Sequence, residues 1–146
     1  MRLNYPPIYF VIIPVLLLLI SCKQEHSQTE IEAAMNQYDH LIQKMDADSI
    51  ALLFTPDGNL GDIAKGQDSI RKFLASFKNV KVISTKSITK TIELSGDSSI
   101  QKGTYQQVDI IDGKDTVRVK GEFTAKWLWL SEIGWRIKSM KTKSLN

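Results

Sequence analysis

From Asp115 to Leu130 the chain alternates so regularly that it leaves little choice of local structure. Val117, Val119, Gly121, Phe123, Ala125, Trp127 and Trp129 fall on one side of a period-two pattern. Arg118, Lys120, Glu122, Thr124, Lys126, Leu128 and Leu130 fall on the other. Successive side chains of a strand point to opposite faces, so this is a long strand with one packed face and one charged, solvated face. Segments 80–94, 98–111 and 135–143 share its bias toward Val, Ile, Thr and aromatic residues. Gly96-Asp97, Asp112-Gly113 and Glu132-Ile133-Gly134 separate them with tight-turn chemistry. Long strands joined by short turns make an antiparallel meander.

Ahead of Val80 the period is helical. Ser27-x-x-Glu30 and Thr29-x-x-Glu32 both fit a capping box. Ile31, Ala34, Met35, Tyr38, Leu41, Ile42 and Met45 then recur at steps of three and four on one stripe. Asp39 and His40 lie off that stripe and read as solvated. Asp48 can cap a short second helix through Ile50, Leu53 and Phe54, and Pro56-Asp57-Gly58 reads as a turn before a short extended piece, Asn59 to Asp62. Gly66 opens a third helix with Ile70, Phe73, Leu74 and Phe77 on its buried side. Helices first and a meander afterwards predict an α+β fold.

The amino terminus carries a different message. Arg2 precedes an apolar run from Ile8 to Ile20, broken only by Pro14, and the run closes on Leu19-Ile20-Ser21-Cys22 with the only cysteine. A charged start, a short apolar core and a small residue at the cut make an export signal. The run is shorter than the roughly 20 residues a membrane-spanning helix needs. The closing motif resembles a lipobox, which implies diacylglyceryl attachment to Cys22, cleavage before it and acylation of the new terminus. The expected division is signal peptide 1–21, lipidated tether 22–28 and one domain over 29–143. Two or more acyl chains anchor stably where one does not. Lys23 in place of aspartate after Cys22 favours the outer membrane under the enterobacterial sorting rule. Lys23-Gln24-Glu25 partly resembles the charged surface-export signals of Bacteroidetes-type lipoproteins. The expected location is therefore the cell envelope, at the periplasmic face or the cell surface.

Losing residues 1–21 leaves 125 of 146 residues and lowers the net charge from +3 to +2, since only Arg2 is charged in that stretch. One domain fits that length. The charge is too mild to argue for nucleic acid. A single cysteine forms no intrachain disulfide, and His26 and His40 stand apart from any metal-ligand spacing, so no metal and no cofactor are expected.

Four passages resemble the NTF2-like superfamily, in particular its SnoaL-like and DUF4440-type members. They are Met45-Asp46-Ala47-Asp48-Ser49-Ile50-Ala51-Leu52-Leu53-Phe54 and Thr55-Pro56-Asp57-Gly58, then Gly66-Gln67-Asp68-Ser69-Ile70-Arg71-Lys72-Phe73, and the late hairpin Trp127-Leu128-Trp129 to Gly134-Trp135-Arg136-Ile137. Together they span roughly 29–140. The resemblance implies three N-terminal helices packed on a curved antiparallel sheet, a cone with a pocket at its open end. Gly121 and Ala125 on the inward face are expected to leave space there. Phe123, Ala125, Trp127, Tyr105 and Gln107 are the expected lining, with simple core packing as the competing reading for Phe123 and Trp127.

The superfamily includes ketosteroid isomerases, and the resemblance carries over residue by residue. Counting from Leu53-Phe54, Asp62 falls at the general-base aspartate, and Tyr38 at the oxyanion-binding tyrosine of the first helix. A carboxylate moving a proton next to a carbonyl while a phenol binds the enolate is sound chemistry. The second oxyanion donor of those enzymes aligns with Ala125, which has nothing to donate. Three readings stay open. In the first, a membrane-tethered domain binds a small apolar or amphipathic ligand, or an envelope partner protein. In the second, a proton-transfer enzyme of ketosteroid-isomerase or polyketide-cyclase kind works through Asp62 and Tyr38. In the third, a dimerising assembly module has no ligand. The expected partners are thus the lipid bilayer through Cys22, a small apolar ligand, and a homodimer mate or envelope protein.

Overall fold

The computed structural model describes residues 25–145, so the signal segment 1–21 and Cys22 lie outside the described residues. The helices are α1 (Gln28–Lys44), α2 (Ala47–Leu52) and α3 (Gln67–Ala75). The strands are β1 (Phe54–Leu60), β2 (Ala64–Lys65), β3 (Val80–Ser95), β4 (Ser98–Ile111), β5 (Asp115–Leu130) and β6 (Gly134–Ser144). All six strands form one sheet in the order β2-β1-β6-β5-β4-β3. The helices pack on its concave face, which makes the fold α+β as expected.

The long strand β5 matches the alternation from Val119 onward, but its first residues, Asp115 to Arg118, are all exposed, Val117 among them. Gly121, Phe123, Ala125 and Trp127 are buried, whereas Arg118, Lys120, Glu122 and Lys126 are exposed. The core runs from Ile31 and Met35 on α1 through Ile50, Phe54 and Ile70 to Phe123, Trp127, Ile137 and Met140 on the sheet. Trp127 is buried to 1 % exposure, and its indole N–H donates to Gln101 Oε1 at 3.0 Å. Gln101 in turn donates to Thr89 Oγ1 at 2.9 Å. This polar chain crosses three strands inside the core with its buried groups partnered.

Four local expectations are corrected. Pro56-Asp57-Gly58 is not a turn but part of β1, which pairs in parallel with β6 and makes the sheet mixed. The register shifts between Phe54 and Asn59, and a bulge is where a strand tolerates a proline that has no N–H to give. The capping box at Ser27 does not form, because the Ser27 side chain caps nothing. Instead Glu30 Oε2 accepts from Trp135 Nε1 at 2.9 Å and meets His26 Nδ1 at 3.0 Å. Asp46, rather than Asp48, caps α2 by accepting from Ser49 N, while Asp48 pairs with Arg71. Phe77 lies beyond the end of α3, is exposed, and stacks edge-on against Phe73 at 5.0 Å.

Candidate functional site

A cavity of about 250 Å3 lies between α1 and the concave face of the sheet. That is a little below the usual range of small-molecule pockets, about 300–1,000 Å3. Helix α1 contributes Met35, Tyr38, Asp39 and Ile42, a stripe at steps of three and four. The sheet contributes Thr85 and Ser87 from β3, Tyr105 and Gln107 from β4, Val119 and Phe123 from β5, and Met140 and Thr142 from β6. Leu60, Ile63 and Phe73 close one side. The walls are mainly apolar and aromatic.

Two pairs of residues shape the sheet side of this cavity. Gly103 faces Phe123 and Gly121 faces Tyr105 across β4 and β5. A Cβ built on Gly121 would sit 2.4 Å from the Tyr105 ring, and one on Gly103 would sit 2.7 Å from the Phe123 ring. Each aromatic ring therefore lies over the glycine of the neighbouring strand. The space expected above Gly121 is not vacant, because Tyr105 occupies it. The cavity forms beside these rings rather than over the glycines.

The polar groups are unequal in kind. Asp39 reaches the edge strand β3, where its carboxylate accepts from Ser87 N at 2.6 Å and from Ser87 Oγ at 2.8 Å. Because β3 ends the sheet, its outward N–H groups lack a neighbouring strand, and Asp39 satisfies one of them. Burial raises the Asp39 pKa above its ordinary value, and the two Ser87 hydrogen bonds partly oppose that. The Tyr38 phenol is pushed well up, first by burial and then by the negative charge of Asp39 and the neighbouring Tyr105. It therefore stays a neutral hydroxyl through the physiological range. Gln107 Nε2 donates to both oxygens of Asp109 at 3.0 Å through one N–H, which leaves its carbonyl oxygen to accept and its second N–H to donate.

The expected site residues are thus only partly gathered. Tyr38, Tyr105, Gln107 and Phe123 all line the cavity. Ala125 and Trp127 are buried in the core and do not line it. Asp62 is exposed on the turn between β1 and β2; it does not line the cavity with Tyr38, but it lines an adjoining pocket that shares Leu60, Ile63, Met140 and Thr142 with that cavity. The reading of Asp39 as solvated is reversed, since it is half-buried, bonded to Ser87 and part of the wall. Its signal was present in the spacing, four residues after Met35 and three before Ile42. His40 is exposed. His26 packs at the other end of α1, its ring 4.4 Å from Trp129 and 4.9 Å from Trp135. Among the described residues no group of three or more His, Cys, Asp or Glu side chains is arranged to hold a metal ion.

The Asp39 geometry makes a pH prediction. A carboxyl whose folded pKa lies above its unfolded one adds stability below the unfolded value and loses it as pH rises through the folded value. Chemical denaturation across the carboxylate range, upward from the ordinary value of 3.8, should show wild-type stability falling relative to Asp39→Asn. Parallel pH curves for the two proteins would mean that burial does not dominate at this residue.

No protein-family model matches the sequence, and no curated protein matches it. Solved structures do. A ketosteroid isomerase-like protein from Erwinia carotovora atroseptica superposes with a TM-score of 0.71 at 18% identity, covering 81% of this chain and 95% of that one. The fold is NTF2-like. An NTF2-like superfamily protein from Salmonella enterica gives a TM-score of 0.67 at 17% identity, with 81% and 90% of the two chains covered. ActVI-ORFA from Streptomyces coelicolor gives 0.67 at 13% identity, with 80% and 95% covered. At these identities the likeness concerns the NTF2-like fold alone.

Proposed function

We propose that this chain is a membrane-tethered NTF2-like domain that binds a small apolar or amphipathic molecule in the cavity between α1 and the sheet. The observation that carries the reading is the make-up of that cavity. It has aromatic and aliphatic walls and a polar end at Tyr38, Asp39 and Gln107, yet Asp62 stands outside it. A site with apolar walls and a few convergent polar groups suits binding. A proton-transfer enzyme is the second reading, favoured by the half-buried Tyr38 phenol on the cavity wall. Its base would be Asp39, the only carboxylate on the cavity wall among the described residues, or Asp62 in the adjoining pocket. The exposed Arg118, Lys120, Glu122 and Lys126 make the outer sheet face a poor dry dimer interface.

Tethering rests on the lipobox at Cys22. His26 already packs against Trp129 and Trp135, so four residue steps link the lipidation site to the folded domain. They span about 14 Å at most. Along α1, Tyr38 lies about 15 Å beyond Gln28 and Ile42 about 21 Å beyond it. The cavity therefore sits toward the far end of the domain from the tether.

Two measurements test the proposal. Cys22→Ser should move the protein from the membrane fraction to the soluble fraction. A small apolar ring compound at about 100-fold its Kd should stabilise the fold by about 2.7 kcal/mol, seen as a higher Tm. A variant that stays in the membrane fraction removes the lipid anchor from the reading, and a Tm that no apolar compound raises removes the ligand.

A further inference from the structure

The cavity described above holds a negative group and no positive one. Among the residues lining it, Asp39 is the only carboxylate, and neither lysine, arginine nor histidine is present. We propose that the cavity selects a cationic amphiphile, a protonated amine carried on a compact apolar body, with Asp39 receiving the ammonium. The inference rests on the reading of the cavity as a ligand site and names the chemical class of the ligand.

Three observations support it. First, Asp39 is fixed in place before any ligand arrives. Ser87 N and Ser87 Oγ each take one of its oxygens, at 2.6 and 2.8 Å. A carboxylate offers about four acceptor sites, so accepting two bonds leaves capacity for an N–H donor while preventing the group from swinging away. Second, every other polar side chain of the cavity can accept a hydrogen bond. The Gln107 carbonyl oxygen and the hydroxyls of Tyr38, Tyr105, Thr85 and Ser87 all have acceptor capacity, while one Gln107 N–H and the Ser87 hydroxyl hydrogen are committed to Asp109 and Asp39. An ammonium brings three donors and no acceptor, which suits this inventory. A carboxylate ligand would meet Asp39 with like charge. Third, the remaining walls include the rings of Tyr38, Phe73, Tyr105 and Phe123. Aromatic faces attract cations and cover an apolar body.

A purely structural role for Asp39, latching α1 to the unpaired edge of β3, explains the Ser87 bonds. The two roles separate experimentally, because a latch has no preference among ligands of one shape.

The test uses the full chain and three small probes of nearly equal size: cyclohexylmethylamine, cyclohexylmethanol and cyclohexanecarboxylate. Binding is read by calorimetry near neutral pH and by ligand-observed NMR. The expected ranking is amine over alcohol over carboxylate, with the amine at least tenfold tighter than the alcohol. Asp39→Asn should remove the amine's advantage, bringing the amine-to-alcohol affinity ratio from at least ten to about one. Equal binding of amine and alcohol to the wild type would overturn the inference while leaving the ligand-site reading intact, as would tighter binding of the carboxylate. Failure of all three probes would remove both. The wild-type ranking needs no variant, so it decides the matter even if Asp39→Asn does not fold.

Discussion

Gly103→Ala is expected to destabilise this domain by about 3 kcal/mol, lowering its Tm by roughly 10 °C. A methyl group is the smallest side chain there is, and at most exposed strand positions it would be tolerated. At Gly103 a Cβ would sit 2.2 Å from the backbone oxygen of Ile88 and 2.7 Å from the Phe123 ring. Neither neighbour can yield cheaply. The Ile88 oxygen belongs to the paired strand β3, and Phe123 is buried against the core. Gly96, on the turn between β3 and β4, is a useful control. Its Cβ would meet nothing within 4 Å, so Gly96→Ala suffers only from its positive φ of 54°, a cost of about 1 kcal/mol. Thermal denaturation of the two variants should separate them clearly. A Gly103→Ala protein as stable as Gly96→Ala would mean that β3 and β4 can move apart, and that the Phe123 ring is not held over the glycine.

Legibility of the fold followed the physics of periodicity. The strand from Asp115 to Leu130 was readable because a period of two survives whatever packs on either face. The parallel pairing of β1 with β6 was not readable, because Pro56-Asp57-Gly58 has the same composition whether it turns or bulges. Glu30 is ambiguous in the sequence for a different reason. A capping box and a tertiary bond to Trp135 compete for one carboxylate, and the winning partner lies 105 residues away. That bond, with the contact to His26, holds the Glu30 carboxyl below its usual range.

The candidate site shows the same division. Tyr38 was found because it sits on a helical stripe, and helical spacing transmits position reliably over a few turns. Asp62 was placed by counting forward from Leu53-Phe54, and that count passes through the register shift of β1. Past an irregularity, sequence distance no longer fixes direction, and Asp62 ends on an exposed turn. Asp39 failed for the opposite reason. Its spacing places it on the wall, but a charged residue beside a buried stripe reads as solvated. What holds it in is the unpaired N–H of an edge strand, Ser87, 48 residues away, which no local pattern announces.

Trp127→Ala is the other large effect, about 3–5 kcal/mol. The residue is 1 % exposed, and its loss empties the centre of the core. The milder Trp127→Phe says more about how the core is built. It keeps most of the apolar volume but removes the donor that Gln101 Oε1 accepts at 3.0 Å. Stranding a buried acceptor costs about 1–3 kcal/mol. Gln101→Leu strands the Trp127 indole N–H by the same logic and costs a similar amount. In the double variant both partners of that bond are gone, and no group is left waiting for the other. Its destabilisation should therefore fall short of the two single effects added together, by roughly 1 kcal/mol. Urea unfolding of the four proteins closes the cycle. Strict additivity would show that water or a rearranged Thr89 replaces the missing partner in each single variant. A clear shortfall would mean that Trp127 and Gln101 act as one buried pair joining β4 and β5.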